Sequence, residues 1–146
     1  MATVYVRNRT RVAVDLEQMR DFARRILEGT REWRSAELSV TLVGDRAIQA
    51  LNERWRGKPR PTDVLSFPME DEPEPGEALL LGDIVIAPRQ AVQDAREEGV
   101  TPDAKMRELI LHSILHLTGC DHETPEGARR MEKRKRLLLD RLERNK

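Results

Sequence analysis

The chain has 146 residues, and its 26 basic and 26 acidic side chains give a formal net charge of zero. This length predicts a single domain over residues 1–146, and the balanced charge argues against a self-repelling, disordered chain. No stretch approaches the roughly 18 apolar residues of a membrane span, and the first dozen residues lack the apolar core of a secretion signal. We therefore expect a cytoplasmic protein with no membrane partner.

The first part of the chain predicts a strand, a helix and a second strand. Residues 2–7 and 36–43 are short stretches rich in β-branched side chains, which are typical of strands. Between them, apolar residues recur at helical spacing up to Gly29. We expect Gly29 to close this helix in the left-handed conformation.

A second helix and a third strand follow. Asp45 is the predicted N-cap of this helix, and Gly57 follows its last turn. Its apolar face is formed by Ile48, Leu51 and Trp55. The stretch "TDVLSFP" predicts a brief strand that ends at Pro68, and residues 69–82, rich in Glu, Pro and Gly, predict a loop.

The remainder predicts one strand and three helices. "GDIVIA" is typical of a strand, and a helix begins at Pro88. The next helix has Thr101 as N-cap and Pro102 as first residue, and the last one opens at Thr124. The order predicts an α+β (mixed α/β) fold, with a single small mixed sheet of about four strands surrounded by about five helices.

All three histidines of the chain lie in "HSILHLTGCDH", residues 112–122. His112 and His116 are four residues apart in a predicted helix, so their side chains share one face about one turn apart. Gly119 ends the helix where a positive φ is needed, and the chain can then bring His122 back to the same point. This spacing predicts a three-nitrogen metal site at the end of a helix.

Three protein ligands with a fourth position left open are typical of catalytic zinc. We expect one Zn²⁺ per chain, although three imidazoles also accept nickel or another divalent ion. Cys120 lies between the ligands and is interpreted as a bystander, whereas Asp121 is predicted to orient one imidazole through a hydrogen bond.

The same spacing occurs in metzincin zinc proteases, with one decisive difference. Those enzymes carry Glu directly after the first histidine as general base, and here that residue is Ser113. A serine hydroxyl alone is a poor base near neutral pH, so the pattern favours a metal hydrolase with another base or another substrate. The candidate bases are Asp121, Glu123, Asp63, Asp83 and the metal hydroxide itself, and Ser113 is a further candidate beside the metal.

Together with "LNERWRGKPRPTDVLSFPM" and "LGDIVI", the histidine segment resembles the YbeY family of bacterial endoribonucleases. The resemblance implies a metal-dependent nuclease of ribosomal RNA maturation, acting near the small-subunit 16S rRNA 3′ end, and of ribosome quality control. It implies that His112, His116 and His122 are the zinc ligands and that Arg56 is functionally important. Ser113 and Cys120 depart from the glycine and the aromatic residue that the family favours there.

The resemblance makes single-stranded or precursor ribosomal RNA, and the ribosome or its small subunit, the expected partners. Basic side chains outnumber acidic ones from Glu53 to Arg60 and from Gly127 to Lys146. Such patches suit RNA phosphates or are ordinary solvated helix faces. Two alternatives stay open: a ribosome-associated assembly factor whose metal is mainly structural, and a metal hydrolase of a non-RNA substrate.

Overall fold

A computed structural model describes residues 1–69, 74–119 and 124–144 of the chain. Within these ranges the fold is mixed α/β, with one four-stranded sheet and five α-helices, as the sequence predicts. The strands are β1 Thr3–Asn8, β2 Glu37–Leu42, β3 Val64–Pro68 and β4 Leu80–Ile86. The helices are α1 Leu16–Glu28, α2 Asp45–Arg56, α3 Pro88–Glu98, α4 Pro102–Leu117 and α5 Pro125–Arg144.

The sheet has the strand order β1-β2-β4-β3. β1 pairs with β2 and β2 with β4 in parallel, whereas β3 pairs antiparallel with β4. Parallel neighbours need long crossover connections, and α1 supplies the one between β1 and β2. β1 and β3 are therefore the two edges of the sheet.

The two faces of the sheet carry separate apolar clusters, because successive side chains of a strand point to opposite faces. Ile84 and Ile86 join the larger cluster with α1 and α4, whereas Val85 between them joins a smaller cluster with α2. β3 alternates likewise, with Val64 against the first cluster and Leu65 in the second. Hence α2 and α4 cover opposite faces of the same edge strand.

Helix α4 is the most enclosed element of the fold. It packs against β3, β4, α1, α3 and α5. Its buried residues occupy most of its circumference: Lys105, Met106, Leu109, Ile110, Leu111, Ser113, Ile114 and Leu115. Even so, none of the helices in the described ranges has the length and apolar character that crossing a membrane requires.

Several predicted boundaries need correction. Gly29 has φ −74° and is not left-handed, because the chain continues directly into a 3₁₀ turn that buries Trp33. Gly44 is the N-cap of α2, and Asp45 is its first helical residue. β4 begins at Leu80, two residues before the predicted strand, because Glu37 on β2 pairs with it.

Trp55 differs most from expectation. Ile48 is fully buried and Leu51 half-buried on the predicted face of α2, but Trp55 is 60% exposed. The predicted apolar face is therefore correct for the first turns of α2 but not for its last turn. The last turn of α2 lies beside the short edge strand β3, where the indole contacts the ring of Phe67 edge to face.

Gly82 allows β3 to lie close to β4. Its φ is +140°, and a Cβ at this position would collide with the carbonyl oxygen of Phe67 and lie 3.0 Å from the Cα of Pro68. Pro68 itself has no N–H, which is tolerated because β3 is an edge strand. Only glycine satisfies both the backbone conformation and the close approach.

We expect Gly82→Ala to lower the free energy of unfolding by about 2–4 kcal/mol, because it combines backbone strain with a steric clash. Urea denaturation measures this change. Gly44→Ala is the control, since its Cβ would meet nothing within 4 Å, and it should cost less than about 1 kcal/mol. Equal effects of the two substitutions would contradict the packing assigned to Gly82.

Candidate metal centre and its surroundings

Two of the three predicted metal ligands lie together near the end of α4. His112 is half-buried and His116 is exposed. The centres of their rings are 5.3 Å apart, and the ring planes are inclined at 72°. The i, i+4 spacing thus places both imidazoles on one helix face, as the sequence predicts.

This separation suits a shared metal ion. Imidazole nitrogens bind zinc at about 2.0–2.1 Å, and two rings on one tetrahedral ion then have their centres about 5 Å apart. The rings of His112 and His116 are already at this separation. No large movement of α4 would be needed for both to bind one ion.

The chain turns directly after His116. Thr118 donates its hydroxyl to the carbonyl oxygens of Ile114 and Leu115, at 2.9 and 3.1 Å. The Gly119 N–H donates to the carbonyl of His116 at 3.2 Å, and Gly119 has φ +94°. The prediction of a positive φ at Gly119 is confirmed.

The remaining residues of the predicted centre lie outside the described ranges. They are Cys120, Asp121, His122 and Glu123. Their predicted roles stay predictions. Among the residues that the structure does describe, no three His, Cys, Asp or Glu side chains converge to hold an ion.

Ser113 points towards the core. Its exposed fraction is 1%, and its hydroxyl finds no hydrogen-bond partner among the described residues. The side chain lies about 100° around the helix from His112, away from the face of the imidazoles.

Arg56 is the last residue of α2 and is exposed. Gly57 follows with φ +70° and caps the helix, as predicted. The segment beyond it is bound to the buried residue Asn52. The side-chain amide of Asn52 donates to the backbone carbonyl of Arg60 at 2.9 Å, and the backbone carbonyl of Asn52 accepts the N–H of Lys58 at 3.3 Å. Asn52 therefore fixes the turn that follows Arg56.

Helices α2 and α4 bring Arg56 and the histidines to opposite sides of one strand. Both helices pack on β3, α2 over Leu65 and Phe67 and α4 over Val64. The described parts of the three sequence blocks that carry the family resemblance thus lie around strands β3 and β4.

A charged cluster lies at the other end of α4. Lys105 is only 6% exposed, and its ammonium group contacts Glu98 of α3 at 2.9 Å and Glu108 at 3.7 Å. Lys135 of α5 contacts Glu108 at 3.9 Å. Lys105 precedes His112 by seven residues, which is about 10 Å along the helix axis.

Asp63, a candidate base, belongs to this cluster. Its carboxyl group is hydrogen-bonded to that of Asp94 on α3. Burial raises the pKa of Asp94, and this hydrogen bond and the charge of Asp63 raise it further, against the opposing effect of Lys105. Burial alone would lower the pKa of Lys105, but Glu98 and Glu108 raise it above its ordinary value. Asp63 thus links the start of β3 to α3. Asp83, another candidate base, is exposed on β4.

The pairing of Asp63 with Asp94 was not predicted. The two residues come from different elements, far apart in sequence, and no local spacing joins them. The only hint is a lysine, Lys105, on the apolar helix α4, because a buried ammonium group requires carboxylate partners.

The family model described as Endoribonuclease YbeY matches residues 5–143 of the chain. Proteins named Endoribonuclease YbeY are similar to the chain. That of Acidothermus cellulolyticus is 41% identical over 139 residues, which cover 88% of this chain and 84% of the relative. That of Thermobifida fusca is 42% identical over 135 residues, covering 88% and 86%.

Coverage of other relatives is smaller. The protein of an Anaeromyxobacter species is 50% identical over 99 residues, but the match covers 68% of this chain and 50% of the relative's length. Among solved structures, the solution structure of a Thermotoga maritima protein matches with a TM-score of 0.62 and 28% identity, over 98% of this chain and 93% of that one.

We expect Asp94→Asn to stabilise the protein at pH 8 but not near pH 4. In the folded state Asp94 keeps its proton to a higher pH than in the unfolded chain. Above its raised pKa, the ionised carboxyl group therefore lowers the free energy of unfolding. Below pH 3.8, the pKa in the unfolded chain, this destabilisation is absent. An amide has no such cost and can donate to Asp63. Urea denaturation at both pH values gives the difference.

Asp140→Asn is the control, since Asp140 is exposed on α5 and lies outside the cluster. Its effect on the free energy of unfolding should be small. A stabilisation of Asp94→Asn that is equal at both pH values would contradict the raised pKa.

Proposed function

Because the chain belongs to the endoribonuclease YbeY family, whose members are hydrolases acting on RNA, we propose that it is a zinc-dependent endoribonuclease that prefers single strands. Its proposed substrate is precursor ribosomal RNA near the small-subunit 16S rRNA 3′ end, with a further role in ribosome quality control. The proposed partner is the ribosome or its small subunit, and the proposed location is the cytoplasm. The observation that carries the proposal is the pair of imidazoles on α4, 5.3 Å apart.

His112 and His116, with His122 as third donor, would hold one zinc ion per chain. Three nitrogen ligands leave a coordination position open, which is the arrangement of catalytic rather than structural zinc. When bound, zinc supplies Lewis-acid catalysis at a phosphoryl oxygen. Nickel suits the same donors.

Arg56 would bind the scissile phosphate. Its guanidinium group is exposed at the end of α2, and its planar fork of donors matches two phosphate oxygens. Asn52 stabilises the turn after Arg56, and this turn fixes the backbone position from which the Arg56 side chain would reach the substrate. This group would bind the phosphate and stabilise the charge that develops on it.

Core packing favours a catalytic metal over a structural one. Leu111, Ile114 and Leu115 flank the histidines and are 0% exposed. Full burial of one such side chain contributes about 1.5–3 kcal/mol, so apolar contacts around the histidines stabilise α4 independently of an ion. An assembly factor with a structural metal, the main alternative, would need the ion to keep this helix folded.

We expect His116→Ala and Arg56→Ala each to slow cleavage of a labelled single-stranded RNA by about 100-fold or more, since loss of one donor to a developing charge has an effect of this size. Arg96→Ala is the matched control: Arg96 is also an exposed arginine in the last turn of a helix that a left-handed glycine caps, Gly99. It should cleave at the rate of the unaltered protein.

All four preparations are purified in parallel, so that a contaminating ribonuclease appears as equal cleavage by every one. Chelation should stop the unaltered protein, and added zinc should restore it. Cleavage that is equal in all four, or absent from the unaltered protein with zinc, contradicts the proposal.

Removal of the metal tests the alternative directly. We expect the circular dichroism spectrum at 25 °C to be the same with zinc and with chelator, because the core around α4 does not depend on the ion. Only the melting temperature should fall, because bound zinc adds its binding free energy to the stability of the folded state. Unfolding at 25 °C on chelation, or in His116→Ala, would favour the structural metal.

A further inference from the structure

Trp55, the residue before Arg56, has the most exposed aromatic side chain in the described ranges. Its exposed fraction is 60%, although a tryptophan at this helical spacing is expected to be buried. Exposing so much apolar surface is unfavourable by about 25 cal/mol per Å². The fold therefore leaves a large flat ring in solvent one residue from the proposed phosphate-binding arginine.

The ring is held in a fixed orientation. Phe67 of β3 meets it edge to face, with ring centres 6.0 Å apart and planes inclined at 67°. The guanidinium carbon of Arg54 lies 5.2 Å from the centre of the indole. These two contacts orient the indole against the sheet edge, while most of its surface stays accessible.

The surroundings of Trp55 are positively charged. From Glu53 to Arg60 there are four basic residues and one acidic one. The basic side chains are all exposed, and none forms an ion pair with a residue in the described ranges: Arg54, Arg56, Lys58 and Arg60. A single ring surrounded by cations is a poor surface for an apolar protein partner, whose interface would be broader and depleted of charge at its centre.

We propose that Trp55 is a stacking platform for one unpaired nucleobase of the RNA, next to the phosphate held by Arg56. Every base has a π face, and sites for single strands combine a cationic track for phosphates with aromatic rings for bases. The platform rests on the proposed nuclease function. It supplies a reason for single-strand preference, because a paired base cannot lie flat on the ring.

The first test is binding of a short, unstructured 2′-O-methyl oligonucleotide, measured by fluorescence anisotropy with its integrity checked on a gel. Trp55→Ala should weaken binding about 5- to 150-fold, the range for one stacked base. The matched control is Tyr5→Ala, since Tyr5 is 57% exposed but lies on β1, the opposite edge of the sheet. That variant should bind like the unaltered protein.

A second oligonucleotide, of the same length but abasic throughout, keeps the phosphates and removes the bases. The unaltered protein should bind it more weakly than the first, whereas Trp55→Ala should bind the two nearly alike. The four affinities form a thermodynamic cycle that isolates stacking from phosphate contacts. Equal discrimination by both proteins would overturn the platform.

Tryptophan fluorescence provides a readout that does not depend on loss of affinity. The chain has two tryptophans, and Trp33 is 4% exposed beneath Arg134. The base-containing oligonucleotide should quench emission of the unaltered protein but not of Trp55→Phe, in which only Trp33 emits. Quenching that is retained in this variant would contradict the proposal.

The outcomes separate the two proposals. If the unaltered protein cleaves RNA but Trp55→Ala and Tyr5→Ala bind and cleave equally, the platform is wrong and the nuclease function stands. If the unaltered protein neither binds nor cleaves RNA, both are wrong. Loss of discrimination against the abasic strand, confined to the Trp55 variant, supports the platform.

Discussion

The burial of α4 against the sheet is the constraint on which the candidate site depends. This helix is enclosed by β3, β4, α1, α3 and α5, and it places apolar side chains around most of its circumference. Only a narrow face near its end is left for His112 and His116. Since a close-packed core resists displacement, the core holds the two imidazoles at a separation that suits one shared ion.

The second constraint is the edge strand β3, which separates the two halves of the proposed site. Its alternating side chains meet α4 on one face and α2 on the other, so the proposed metal ligands and Arg56 are both positioned by helices that pack on these five residues. Gly82 lets this strand approach β4, and Asp63, directly before it, lies against Asp94 of α3. The two parts of the proposed site therefore depend on the placement of one edge strand.

The sequence predicted what local periodicity and capping determine. The four strands, the five helices, the Thr101 cap of α4, the end of α2 at Gly57 and the positive φ of Gly119 all follow from patterns within a few residues. The i, i+4 histidines were predicted for the same reason. The role of Arg56 came from resemblance to a family and not from spacing, because a cation at a helix end is an ordinary feature.

What could not be predicted depends on contacts between distant elements. The pairing of Asp63 with Asp94 needs the relative position of β3 and α3. The exposure of Trp55 depends on how far the sheet extends beneath α2, and the periodicity of the helix does not reveal this. Gly29 looked like a left-handed cap, but the buried Trp33 draws the chain into a 3₁₀ turn instead.

X-ray absorption at the zinc edge tests the central claim most directly. The zinc-loaded protein should show one zinc per chain with three imidazole nitrogens at about 2.0–2.1 Å and no sulfur ligand. His112→Ala should lose one imidazole from this environment or lose the zinc altogether. A sulfur ligand at about 2.3 Å, or a zinc environment unchanged in His112→Ala, would contradict a metal centre built on α4.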